Sequence, residues 1–139
     1  MSRYLFGGIL AALMLTAGAV QAHHSFAAEF DANKPITLKG IVTKIEWTNP
    51  HVWFYVNVKD EKSGEIANWG AEMGPPHGLQ RRGWRRDTLK IGEEVTVIGS
   101  MAKNGTKRMN ARTVTLTSTG GRPGEALSAA SSEGEGAAN

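Results

Sequence analysis

Five short runs of β-type sequence, a glycine that interrupts the first of them, and a non-alternating insert after the third predict an all-β chain. The expected architecture is a small five-stranded barrel of the OB type with a short helical insert between strands three and four. Each run is rich in Ile, Val and Thr or alternates apolar with polar residues, and each is bounded by Gly, Pro, Asn or Asp. A length of 139 residues sets one domain as the expectation. A β-sandwich is the alternative topology, and the insert at that one position fits it less well.

The first 22 residues read as a signal peptide rather than as fold. Arg3 supplies the positive start, Leu5 to Ala17 is apolar, and Val20-Gln21-Ala22 carries small residues where a signal peptidase checks them. A second cut, after Ala19, also satisfies that rule. The apolar run is too short to span a bilayer, so no stable membrane insertion is expected after cleavage and the mature chain is expected in the periplasm.

Strand one is expected from Ile36 to Trp47, with Gly40 marking a bulge or strong bend. Asn49-Pro50-His51 is a turn, because Pro fixes its own φ and pushes the preceding residue away from the helical region. Strand two, Val52 to Lys59, alternates cleanly. Val52, Phe54, Val56 and Val58 form its core face; Trp53, Tyr55, Asn57 and Lys59 form the other. Asp60 to Glu65, with Ser63-Gly64, makes the connection to strand three, Ile66 to Met73, which Pro75-Pro76 ends. Residues 77–86 hold a short helix or one turn of it. Strand four runs from Glu94 to Met101, and Asn104-Gly105 is the strongest hairpin signal before strand five, Lys107 to Thr117. From Ser118 onward the chain is Gly, Ala, Ser and Glu with almost nothing to bury, so residues 118–139 are expected to be a disordered tail. The folded domain is then 23–117.

A combination of motifs in this domain resembles a known family. It consists of His23-His24-Ser25-Phe26 with Phe30-Asp31, Lys39-Gly40-Ile41-Val42, Asn49-Pro50-His51, Trp69 with Glu72, Arg82-Gly83-Trp84, and Leu89-Lys90-Ile91-Gly92 followed by Val95. Together they are similar to a family of small exported bacterial proteins catalogued as a domain of unknown function. The resemblance implies an exported, barrel-like single domain and brings no activity with it. The long tail lies outside the matched region.

Composition narrows the functional classes. Cysteine is absent, which removes disulfides, thiol catalysis and cysteine zinc sites. The formal net charge is +3, part of which is Arg3 in the leader, so charge alone does not imply nucleic acid, and export argues against that partner. No nucleophile elbow, metalloprotease helix, phosphate loop or dinucleotide fingerprint occurs, so a non-enzymatic role is expected. Glu46 and Glu72 are the carboxylates to consider as a pair, and nothing in the sequence alone sets them face to face.

The most informative feature is a pair of histidines, His23 and His24, at the expected mature N-terminus. A histidine at position one chelates Cu(II) through its α-amino nitrogen and ring, and a further imidazole from the fold completes a three-nitrogen site. Imidazole nitrogen suits copper, nickel and zinc, so the expected ion is copper or a related divalent metal. His51, held at the head of strand two by Pro50, is the candidate partner; His77 lies in a Pro/Gly-rich connection. The plainer alternative is that His51 simply caps a turn. An oxidative copper enzyme would want extended loops around its substrate, which the chain lacks.

The chain is expected to be a monomer; the rival reading of it is a metal-free interaction module for an anionic cell-envelope protein or polymer. Its candidate residues are Trp53, Tyr55 and Trp69, whose rings can stack on a ligand, and Arg81, Arg82, Arg85 and Arg86, whose planar forks suit phosphate and carboxylate. The plainer alternatives are that the rings pack under Phe26 and Phe30, and that the arginines are a solvated turn whose Trp84 plugs one end of the barrel.

Overall fold

The computed structural model describes residues 26–117 and 126–129. Residues 1–25, which include the expected signal peptide, His23 and His24, and the remainder of the tail lie outside the described residues. In chain order the elements are α1 (Phe26–Glu29), β1 (Phe30–Glu46), β2 (Trp53–Lys59), β3 (Ile66–Glu72), α2 (Pro76–Arg81), β4 (Glu94–Ala102), β5 (Arg108–Leu116) and β6 (Ala126–Ser128). The sheet order is β3-β2-β1-β4-β5-β6, and a parallel pairing of β3 with β5 closes β1 to β5 into a ring. This is the expected OB-like barrel with its helical insert after the third strand.

Closure depends on β1, which is longer than the expected Ile36–Trp47 because it serves two partners. Residues Pro35 to Ile41 pair with β4, and Ile41 to Glu46 pair with β2. At the changeover the backbones come so close that a Cβ on Gly40 would collide with the carbonyl oxygen of Asn57, so this position requires glycine. The bulge expected at Gly40 is displaced: the register slips between Val42 and Lys44.

The core is built from the predicted alternation. Val52, Phe54 and Val56 are fully buried, as are Val95, Val97, Met109 and Val114 on facing strands. Val58 is half-buried against the same cluster. Two hairpins set the register between strands. The Asp60 carboxylate accepts from the backbone N–H groups of Lys62 (2.9 Å) and Ser63 (2.7 Å), and the Asn104 side chain accepts from the Thr106 N–H (3.1 Å). Pro76 opens α2, where its missing N–H costs nothing. Leu79 and Trp84 of the insert are both 1% exposed and belong to the core cluster.

Two expectations are corrected here. The tail is not irregular throughout, since Ala126–Ser128 pair antiparallel with β5 and Ala129 is fully buried. The composition of 118–139 suggested nothing to bury, but a strand needs only alternate residues to face inward, and Leu127 and Ala129 suffice. Trp69 also departs from expectation. It stands opposite Val56 across the β2–β3 ladder, hence on the inner face, where it packs against the core instead of joining Trp53 and Tyr55 outside.

Candidate functional site

The outer surface of β2 and β3 is ordered by strict antiparallel register. Trp53 faces Glu72, Tyr55 faces Gly70, and Asn57 faces Asn68. His51 lies just ahead of β2, after the cis Asn49–Pro50 bond. Its neighbour Val52 is fixed to the end of β3 by two backbone bonds, Val52 N–H to Gly74 O (3.1 Å) and Met73 N–H to Val52 O (2.8 Å). This places the imidazole beside the last residue of β3, and His51 Nδ1 makes a short contact with Glu72 Oε1.

Glu72 is the unusual member of the pair. It is 7% exposed, and burial pushes its carboxyl above the usual carboxylate range, with Glu29 pushing the same way. The hydrogen bond and charge of His51, and the charge of Arg108, act in the opposite sense. When Nδ1 donates to the carboxylate, the tautomer is fixed and Nε2 is left as the nitrogen able to bind a ligand.

The chain enters close to this pair. Glu29, at the end of α1, is near enough to influence Glu72 electrostatically. The helix is fastened to the β4–β5 hairpin by Lys103, whose backbone N–H donates to Glu29 O (2.9 Å) and whose Nζ donates to Ala27 O (2.5 Å). A cleft of about 290 Å³ lies at this seam, lined by Glu29, Phe30, Lys103, Asn104, Thr106 and Arg108.

Beside the His51–Glu72 pair the outer rings are approached by cations. The Arg108 guanidinium lies 4.4 Å from the Trp53 ring centroid, and Lys44 Nζ lies 5.3 Å from that of Tyr55. Tyr55 also donates its hydroxyl to Glu46 (3.2 Å), and burial together with Glu46 raises the phenol above its usual range. Gly70 leaves room for both rings, since a Cβ there would lie 3.3 Å from Tyr55 and 3.5 Å from Trp53. Phe26 stacks on Phe30 (5.9 Å between centroids) rather than on either ring.

The residues singled out in sequence therefore divide. His51, Trp53 and Tyr55 share one end and face of β2, whereas His77 is exposed at the start of α2. Arg81, Arg85 and Arg86 are exposed around the insert and Arg82 is half-buried, apart from that face. Glu46 and Glu72 share the outer surface but flank Trp53 from opposite sides, two strand spacings or roughly 10 Å apart, so they form no carboxylate pair. His23 and His24 lie outside the described residues, and among the described residues no group of three or more His, Asp or Glu side chains could hold a metal ion. Arg108 reaches Trp53 because the parallel β3–β5 pairing sets it opposite Gly70. No local signal in the chain announces that pairing.

Comparison with known proteins supplies a family but no activity. The chain belongs to the family described as "Family of unknown function (DUF6152)", which matches residues 11–111. No curated protein matches the sequence. Among solved structures the chain is similar to the mitochondrial single-stranded DNA binding protein Rim1 from S. cerevisiae, at 9% identity and a TM-score of 0.49, over 63% of this chain and 96% of that one.

Proposed function

We propose that the mature chain is an exported, non-enzymatic binding protein that takes Cu(II) through the His23 amine and ring together with His51, with His24 as an alternative donor. The observation that supports this best is the contact between His51 Nδ1 and the buried Glu72 carboxylate, which leaves Nε2 of a half-exposed imidazole for the ion. A carboxylate behind a histidine is the usual second partner of a metal-binding imidazole, because it fixes the ring and raises its basicity. The chain is described from Phe26, and the three residues back to His23 reach at most about 10 Å. That reach begins from α1, whose Glu29 already acts on Glu72.

The test is calorimetric titration of Cu(II) into mature protein beginning at His23. One ion with a nitrogen-rich spectroscopic signature is expected, and affinity should fall as protons compete for amine and imidazole. Adding one residue before His23 should weaken binding strongly. His51→Ala should weaken it more than His77→Ala. Unchanged affinity after both blocking the amine and removing His51 would dismiss the site.

A further inference from the structure

The seat of β6 points to a binding site of a different kind, independent of the metal. Strand β5 pairs in parallel with β3 only over Arg108 to Asn110, after which β3 has ended and the chain turns into Pro75-Pro76. Proline has no N–H and cannot extend the sheet, so the barrel wall is open beside the second half of β5. Residues 126–129 fill that opening.

The opening is equipped for an extended backbone. Ala126, Leu127 and Ser128 pair with Thr115, Val114 and Thr113. Beyond the ladder, the Ala129 N–H donates to Arg112 O (2.8 Å), its carbonyl accepts from the Gly74 N–H (2.9 Å), and the Trp84 indole N–H donates to Ser128 O (2.8 Å). All these bonds go to the main chain of the inserted strand, so they do not depend on its sequence. Selectivity falls on two inward positions: Leu127 packs against the core, and Ala129 is fully buried, which favours a small side chain there. Backbone bonds for affinity and alternate pockets for specificity are the features of strand addition.

Charge adds a third requirement. Trp84, which holds the Ser128 carbonyl, also lines a hollow of about 400 Å³ with Gln80, Gly83, Arg85, Arg86 and Asp87. Arg85 and Arg86 are both exposed. Guanidinium groups there favour carboxylates on a peptide seated against Trp84. In this chain Glu133 and Glu135 follow Ala129 in sequence.

We infer that this groove is a strand-accepting site for an acidic extended peptide of the form apolar, any residue, small, followed by carboxylates, and that the chain's own tail occupies it until such a partner displaces it. The own strand is covalently joined to β5, so it competes as an intramolecular ligand. Only a peptide that outcompetes this tethered strand enters.

The experiment uses the full mature chain and a fluorescein-labelled peptide copying residues 124–135, followed by fluorescence anisotropy. Leu127→Asp with Ala129→Asp evicts the tethered strand, so this variant should bind the peptide at least tenfold more tightly than the wild type. Replacing both peptide glutamates equivalent to Glu133 and Glu135 by Gln should weaken binding several-fold at low salt, with the difference lost at high salt. Should the double variant fail to fold by far-UV circular dichroism, Leu127→Ser alone serves the same titration. Equal binding by variant and wild type would overturn the groove, and indifference to the glutamates would overturn the acidic partner. Dimerisation of the wild type by exchange of β6 would assign the groove to a second copy and overturn the external partner.

Discussion

Glu72→Gln separates the roles of a buried carboxylate more cleanly than any other single change in this protein. Glutamine keeps an oxygen that accepts from the His51 Nδ1–H but has no charge to orient the ring. Loss of such a partner typically weakens metal binding by about 10–100-fold, or roughly 1.4–2.7 kcal/mol. Stability should move the other way or not at all. Burial holds the Glu72 carboxyl above the usual range. An acid raised in this way costs the fold stability as pH rises from its ordinary value through the raised one, and glutamine never bears that cost. At neutral pH, metal-free Glu72→Gln should therefore melt no lower than wild type by circular dichroism, while calorimetric titration of the mature protein shows weaker Cu(II) binding. A variant that melts several degrees lower yet binds Cu(II) as before would make Glu72 a structural brace and refute the reasoning.

Three further outcomes concern the fold. Phe54 is fully buried, so Phe54→Ala should cost about 3–5 kcal/mol in urea unfolding, while exposed Lys59→Ala should stay within about 0.5 kcal/mol; similar small effects at both would contradict the β2 assignment. Gly40→Ala forces a methyl against the Asn57 carbonyl and should destabilise by about 1–3 kcal/mol, whereas a neutral result would mean the β1 changeover is looser than described. Backbone N–H bonds from Ser63 and Lys62 hold the Asp60 carboxyl below the usual range, so its contribution is present above an ordinary aspartate value near ~3.9 and is lost as pH falls through the folded value. Asp60→Asn should flatten that part of the acid melting profile, and superimposable profiles would remove the effect.

Sequence reasoning succeeded where the cause of structure is local. Strand two was legible because Val52, Phe54 and Val56 alternate with Trp53 and Tyr55, and a period of two admits a single inward face. The hairpins after Lys59 and Ala102 are legible from Ser63-Gly64 and Asn104-Gly105, because both glycines take the positive φ (75°) that such turns require. His51 was legible as a candidate because Pro50 precedes it at a strand head. The place of Trp69 is not legible in its own strand, because the face a residue occupies follows from register, and the ladder sets it opposite Val56.

By itself, then, the sequence determined an all-β domain with a helical insert, the core face of β2 and the residues from which a metal site would be drawn. Tertiary structure decided what stands beside them. Glu72 meets His51, and Arg108 meets Trp53, only because antiparallel β2–β3 register and the parallel β3–β5 closure bring together positions far apart in the chain. The same holds for the tail. Leu127 and Ala129 look inert in a Gly/Ala/Ser/Glu stretch, and they gain a place only because closure leaves the edge of β5 open, with the Gly74 and Trp84 N–H groups turned towards it. Local periodicity records which side of a strand is apolar, but the partner that covers that side is chosen by long-range pairing, to which no short stretch of sequence is sensitive.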